Sequence, residues 1–280
     1  MTNTSLNLSG RIESDWVDAL RLIHQKAAAL DMPYTVIGAA ARDFWLMAYG
    51  IKPQRATRDV DLALEIAGWD KFTLLKAHLL THTDFQTDRM VQRVVFKGHL
   101  PIDLLPYGGV EQGMSQITWP PDHTIEMSVL GLADVLKSSQ SIRIANLPEP
   151  LNIPVATPAG IALLKLLAWD ARKHESSKDA EDFQYLLHYY IDIGNQSRLE
   201  NEHTDLFDDI ETAPARLLGR DITTIASHST LTMIAHILDQ EIVTGLYAPL
   251  LRAMLPRHTE TRLLQHHLHL LQALRQELNG

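Results

Sequence analysis

The run DVDLALE, from Asp59 to Glu65, constrains the fold most strongly because polar and apolar side chains alternate along it. Alternation with a period of two is typical of a half-buried β-strand. Asp59 and Asp61 would then share one face of the strand, while Val60 and Leu62 pack on the other. The chain is therefore expected to build a sheet that carries two neighbouring carboxylates on one face.

The segments around this strand predict an N-terminal region that mixes helices and strands. Helical periodicity, β-branched runs and glycine or proline breaks mark the other elements. In chain order they are a helix over 14–30, a strand over 34–37 that ends at Gly38, a helix from 39, a helix over 69–80, and a hairpin with arms over 91–97 and 100–106.

The second half of the chain is predicted to be helical. Pro148, Pro150 and Pro154 precede Thr157-Pro158, a strong helix start with threonine at the cap and proline at the first helical position. The helices are expected over 158–173, 177–191, 204–218, 222–238, 242–253 and 259–278. We therefore predict an α+β protein with a mixed sheet flanked by helices over residues 1–150 and an all-helical domain over 151–280.

Composition excludes several classes of protein. With 280 residues and 45% hydrophobic content, the chain has enough apolar material for a packed core. No apolar run reaches membrane-spanning length, and the N-terminus lacks the pattern of a secretory signal, so we expect no membrane partner. The absence of cysteine excludes thiolate metal sites and is consistent with a cytoplasmic location. A net charge of −9 argues against broad coating of nucleic acid, although a local basic groove could still hold RNA.

A third carboxylate follows on the predicted second arm of the hairpin, as Asp103 in the run IDLL. Carboxylates held close together repel each other unless cations bridge them, and oxygen-rich sites suit Mg²⁺ or Mn²⁺. If the strand of Asp103 lies beside that of Asp59 and Asp61, the three acids can share a two-metal site. The alternative is that each acid is an ordinary strand-end or surface residue.

Three motifs in order resemble the polymerase-β-type nucleotidyltransferase superfamily: VIGAAARDFWL, RATRDVDLALEI and IDLLPYG. The superfamily carries a G-[GS] turn, a D-x-[DE] pair and a further acid. The chain looks most like the branch of AbiEii toxins and minimal nucleotidyltransferases, in which a Lys/Arg helix and a K-D-x-x-D segment follow. Here these correspond to the runs KLLAWDAR and KDAED.

The resemblance implies roles for individual residues. Asp59, Asp61 and Asp103 would be catalytic and bind Mg²⁺ or Mn²⁺, while Gly38 lets the nucleotide phosphates approach the backbone. Ala39 departs from the expected Gly or Ser, which removes a hydroxyl from the phosphate site. The other residues implied to contact the nucleotide are Arg42, Lys165, Arg172, Lys178 and Asp182. Arg42 could instead pair with Asp59 or Asp43. Lys165 and Arg172 could form a solvated stripe, and Lys178-Asp179 could be a helix-start charge pattern that suits the dipole.

The implied reaction moves a nucleoside monophosphate from an NTP to an acceptor hydroxyl on RNA, protein or a small molecule. The branch also implies a toxin with an antitoxin partner. One alternative is a catalytically weak or inactive protein that binds nucleotide or a partner on the same fold, which the alanine at position 39 keeps open. A metal-dependent phosphohydrolase ranks lower because no His-Asp pair is present.

Overall fold

The computed structural model describes residues 6–55, 57–113 and 115–278. The chain divides into two compact units, Met1–Thr157 and Pro158–Gly280. The first unit mixes helices and strands, and the second is helical. This architecture confirms the predicted fold class.

The described part of the N-terminal unit contains the predicted elements in their order. The elements are α1 (Ser14–Ala29), β1 (Tyr34–Ile37), α2 (Gly38–Ala48), β2 (Val60–Ile66), α3 (Trp69–Leu80), β3 (Phe85–Thr87), β4 (Arg93–Phe96), β5 (Leu100–Gly108), β6 (Gln116–Thr118), β7 (Glu126–Ser128), α4 (Leu132–Lys137), β8 (Gln140–Ala145) and β9 (Leu151–Val155). The structure thus adds β3 and the elements that follow β5 to those predicted.

The described strands form a seven-stranded mixed sheet in the order β3-β4-β5-β2-β1-β9-β8, and β6 and β7 form a separate ribbon. β5 runs parallel to β2, and β9 parallel to β1, whereas the other neighbours in the large sheet are antiparallel. β1 is buried along its whole length, as its apolar and β-branched sequence YTVI suits a central strand. The strands β2 and β5, which carry the predicted acids, therefore lie near the middle of the sheet.

Helices flank this sheet. α2 contacts β1 and β2, α4 contacts β1, β2 and β5, and α1 packs against α3 and β9. α2 has the run GAAARDFWLMA, in which alanines favour helix and the residues from Ala40 to Leu46 are buried. This burial anchors the start of α2 firmly at the end of β1.

The unit boundary lies at residues 157 and 158, later than the boundary predicted near residue 150. The difference arises because Leu151–Val155 forms β9, which pairs with β1 on one side and β8 on the other. The prolines that suggested a linker flank or interrupt this strand without removing it from the sheet.

The C-terminal unit consists of packed helices within the described residues. They are α5 (Pro158–Arg172), α6 (Lys178–His188), α7 (Gln196–Asn201), α8 (Ala213–Ile225), α9 (His228–Thr244), α10 (Pro249–Met254) and α11 (Thr261–Glu277), with short 3₁₀ turns at Thr204–Asp209 and Gly245–Tyr247. α5 packs against α6, α8 and α9, and α8 packs against α11. The core of this unit therefore centres on α5 and α8.

Some helix bounds in this unit differ from the prediction. The predicted helix over 204–218 is a 3₁₀ turn followed by α8, because Pro214 sits in the first turn of α8 and starts a new helix. The predicted helix over 242–253 is divided between the end of α9 and α10, since Gly245 has a positive φ and Pro249 opens the next helix. Within the described residues, no helix is both long enough and apolar enough to cross a membrane.

Candidate active site

Asp61 and Asp103 lie directly opposite each other on the adjacent parallel strands β2 and β5. Paired residues on neighbouring strands point to the same side of a sheet and are about 5 Å apart at their Cα atoms. The condition set by the sequence, that the two acidic strands be neighbours, is therefore met. Both acids are partly exposed on strands whose flanking residues are buried.

Asp59 stands at the entrance to β2, two residues before Asp61, and is partly exposed. Its negative charge contributes to raising the pKa of Arg93 on β4, so it lies within electrostatic range of that guanidinium. Asp59 thus belongs to the same end of the sheet as the pair formed by Asp61 and Asp103.

Gly38 lies next to Asp61 on the side away from Asp103, because β1 and β5 flank β2. β1 pairs Ile37 with Asp61, and α2 begins at the next residue, so no separate turn intervenes between strand and helix. Gly38 has φ +68°, and a Cβ atom there would overlap Oδ2 of Asp61 and come within 3.2 Å of its Cγ. Glycine is required here because the carboxylate of Asp61 packs directly against the first residue of α2.

Substitution of Gly38 by alanine is expected to damage both stability and activity. We expect the free energy of unfolding to fall by about 1–3 kcal/mol from backbone strain and steric overlap. Displacement of the Asp61 carboxylate should lower the transfer rate by about 100-fold. Chemical denaturation and a nucleotide-transfer assay measure the two effects.

Gly50→Ala is the matched control, since Gly50 also has a positive φ, +76°, but no atom lies within 4 Å of a Cβ built there. It should lose stability through strain alone and keep full activity. Equal losses of activity in both variants would show that the packing of Gly38 against Asp61 is unimportant.

Arg42 is buried in α2, with only 1% of its surface exposed. Its Nε and one terminal nitrogen donate hydrogen bonds to Oδ1 of Asp43 at 2.9 and 2.7 Å. The other oxygen of Asp43 accepts a hydrogen bond from the hydroxyl of Thr57, which lies two residues before Asp59. The structure favours the ion-pair alternative with Asp43 over a phosphate contact, and this pair ties α2 to the segment that leads into β2. Ala39, the next residue after Gly38, is half-buried in the first turn of α2.

Arg93 is a member of the site that the sequence analysis did not identify. Its Nε and a terminal nitrogen each donate to one oxygen of Asp103 at 2.7 Å, a two-pronged ion pair with side chains only 23% and 14% exposed. The hydrogen bonding of Arg93, as donor, to Asp103 is the main cause of the raised pKa of Arg93. The pairing could have been found from the hairpin itself, because Arg93 and Asp103 are equally distant from Gly98 along the two arms.

No group of three or more His, Asp or Glu side chains stands ready to hold a metal ion in the described part of the chain. Metal binding by the three predicted acids therefore stays a prediction. Both oxygens of Asp103 accept hydrogen bonds from Arg93.

The C-terminal residues that the resemblance singled out form a cluster of ion pairs between α5 and α6. Nζ of Lys165 lies 3.0 Å from Oδ1 of Asp179 and 2.8 Å from Oδ2 of Asp182. Arg172 approaches the other oxygen of Asp179 at 2.7 Å. The side chain of Lys165 is 12% exposed and that of Asp182 is 2% exposed, so Lys165 is not part of a solvated stripe, whereas Arg172 is 55% exposed. Lys178, at the start of α6, is exposed.

The family comparison agrees with the motif order. Residues 38–268 match the model of a family described as nucleotidyl transferase AbiEii toxin, type IV toxin–antitoxin system. The match begins at Gly38 and includes all three acids and the cluster between α5 and α6. No curated protein matches the sequence significantly.

The solved structures to which the chain is similar are distant. An antigenic nucleotidyltransferase-like protein from Paracoccidioides brasiliensis is 18% identical, with 74% of this chain and 94% of that chain covered and a TM-score of 0.40. ANT(2″)-Ia in complex with adenylyl-2″-tobramycin is 12% identical, with coverages of 62% and 89% and a TM-score of 0.36. The apo form II of a CCA-adding enzyme is 12% identical, with coverages of 96% and 84% and a TM-score of 0.28. At these values the three likenesses carry no part of the functional assignment.

The family match spans most of the chain, including the row of acids on β2 and β5 and the glycine that opens α2. The chain therefore belongs to the AbiEii nucleotidyltransferase family and is a nucleotidyltransferase.

Proposed function

We propose that the protein transfers a nucleoside monophosphate from an NTP to an acceptor hydroxyl, with Asp59, Asp61 and Asp103 as its catalytic acids. The observation that carries this proposal is the register of Asp61 against Asp103 beside the start of α2. Acids in adjacent parallel strands next to a helix N-terminus bring together a site for cations and a site for phosphate.

The donor atoms at this end of the sheet fit Mg²⁺ or Mn²⁺, because they are carboxylate oxygens, the ligands that these cations prefer. We propose Asp59 and Asp61 as the principal ligands, joined by Asp103. A bound divalent cation supplies positive charge that stabilises the negative charge on the reacting phosphates.

The residues of the chain have distinct proposed roles. The free N–H groups and dipole of the first turn of α2, which begins at Gly38, bind the β- and γ-phosphates. The acceptor oxygen forms a bond to the α-phosphorus as the bond from that phosphorus to the bridging oxygen breaks and pyrophosphate leaves. Asp103 favours deprotonation of the acceptor hydroxyl, whose proton passes to solvent.

Among the C-terminal residues, we propose Lys178 as a phosphate contact because it is exposed at the start of α6. Lys165, Arg172 and Asp182 were also expected to contact nucleotide. These three residues take part in one ion-pair cluster with Asp179, so we propose that they hold α5 against α6 and shape the surface that carries Lys178.

Transfer of label from an α-³²P-labelled NTP tests the proposal. Each of the four NTPs is incubated with Mn²⁺, the protein and total tRNA, a cell extract or an aminoglycoside, and the products are separated. We expect label on one acceptor class with wild type and none with Asp59→Asn/Asp61→Asn. If no NTP labels any acceptor but metal-dependent nucleotide binding persists, the weak or inactive binding protein becomes the better account, and the engagement of Asp103 by Arg93 is the observation that favours it.

The family description also supports a role as the toxin of a toxin–antitoxin pair. Induced expression of the wild type should then arrest growth, while Asp59→Asn/Asp61→Asn should not. Co-expression of the neighbouring gene should restore growth if that gene encodes the antitoxin. Normal growth under strong expression of the wild type would contradict the toxin role but not the proposed transferase activity.

A further inference from the structure

We propose that Arg93 is an internal counter-ion for Asp103, and that a divalent cation gains this carboxylate only by displacing the guanidinium. Arg93 would thus set the cation concentration at which the acidic site fills. This inference rests on the proposed function, since it takes the acids of β2 and β5 as the cation site.

The geometry of the ion pair is the first support. Arg93 is paired with Asp103, and Asp103 with Asp61, in one row across β4, β5 and β2, so the three side chains share one side of the sheet. The guanidinium contacts both oxygens of Asp103 at 2.7 Å. A planar fork on a carboxylate occupies the lone pairs that a metal ion would use, so the two cations compete for the same oxygens.

The surroundings of Arg93 allow its guanidinium both to leave Asp103 and to return to it. Negative charge from Asp88 and Asp59 also raises the pKa of Arg93, after the larger contribution of Asp103. A displaced guanidinium therefore stays within range of other carboxylates. The ion pair is only partly buried, with 23% of the Arg93 side chain exposed, so the side chain has a route outward.

The backbone beneath Arg93 is held in place, which confines the movement to the side chain. Nζ of Lys76 on α3 donates to the carbonyl of Val91 at 2.5 Å and approaches the carbonyl of Arg93 at 3.4 Å. β4 is further fixed by its ladder with β5, in which Val94 faces Ile102 and Phe96 faces Leu100. Loss of the guanidinium should therefore change the charge of the site without moving the strand.

Titration of the full chain with Mn²⁺ tests this inference without any activity assay. The loss of the electron paramagnetic resonance signal of free Mn²⁺ measures how much of the ion is bound. Arg93→Met removes the charge and keeps much of the apolar stem. We expect it to bind Mn²⁺ about tenfold more tightly than wild type, because the site loses a competing cation. Arg93→Lys keeps the charge without the fork and should fall between the two.

Controls separate this effect from general charge. Arg89→Met removes the same charge from an exposed position nearby and should leave the Mn²⁺ affinity within twofold of wild type. In the Asp103→Asn background, Arg93→Met should give no gain, since the carboxylate for which the cations compete is absent. The melting temperature of Arg93→Met should be lower without Mn²⁺ and should rise more than that of wild type when Mn²⁺ is added.

The outcomes distinguish this inference from the proposed function. If wild type binds Mn²⁺, Asp61→Asn does not, and Arg93→Met binds no more tightly than wild type, the counter-ion role is overturned and the proposed site stands. If neither wild type nor Arg93→Met binds Mn²⁺, both are overturned. If Arg93→Met does not fold, Arg93→Lys decides, and an affinity equal to or weaker than that of wild type overturns the inference.

Discussion

Replacement of Asp61 by asparagine is expected to lower the rate of nucleotidyl transfer by about 1,000-fold, the scale of losing a group that organises charge at the transition state. Asp61 occupies the centre of the site, with Asp103 opposite it on β5 and Gly38 packed against its carboxylate. Asparagine keeps the size of the side chain and removes the charge that would attract a cation. Initial rates of pyrophosphate release at saturating NTP and Mn²⁺ measure the loss.

Glu65→Gln provides the matched control for this substitution. Glu65 lies on the same strand and undergoes the same exchange of acid for amide, but it is exposed at the other end of β2. Its rate should remain within about twofold of wild type, as expected for a surface change away from the site. A similar fall in both variants, or an unchanged rate in Asp61→Asn, would contradict the central role of Asp61.

Replacement of Lys165 by methionine should produce the largest change in stability. We expect the free energy of unfolding of the C-terminal unit to fall by about 3 kcal/mol, within the range for breaking a buried ion pair by removing one partner. Lys165 is the cation that both Asp179 and Asp182 contact, and the side chains of these acids are 6% and 2% exposed. Urea denaturation followed by circular dichroism measures the change.

Arg172→Met serves as the comparison, because Arg172 pairs with the same Asp179 but has 55% of its side chain exposed. It should cost less than about 1 kcal/mol, as surface ion pairs generally do. Equal stability of Lys165→Met and wild type would show that the lysine does not hold α5 and α6 together and would revive its direct contact with nucleotide.

The acids of the site were predictable from sequence because each is embedded in an alternating strand. The alternation of polar and apolar residues in DVDLALE and IDLL indicates a strand with a polar face. The structure places these runs in the sheet, in β2 and β5. The sequence did not predict that these two strands pair. It showed only that the acids could share a site if the strands were neighbours. Nothing local to either strand sets that pairing, since the two strands are joined through α3, β3 and β4.

The cationic members of the site were harder to predict, because the partner of an arginine is chosen by tertiary structure. Arg42 had two candidate acids, and the choice of Asp43 depends on how the segment containing Thr57 folds back on α2. Arg93 was missed although the symmetry of the hairpin about Gly98 placed it opposite Asp103. In the C-terminal unit, helical spacing put Asp179 and Asp182 on one face, but that both contact Lys165 follows only from the packing of α5 on α6.

Calorimetric titration of ATP, GTP, CTP and UTP into the full chain, with and without Mn²⁺, tests the central claim most directly. The acids beside Gly38 should give binding of at least one triphosphate that requires Mn²⁺ and disappears in Asp59→Asn/Asp61→Asn. Failure of every triphosphate to bind with Mn²⁺, or binding that survives in the double variant, would contradict a nucleotide site at these acids.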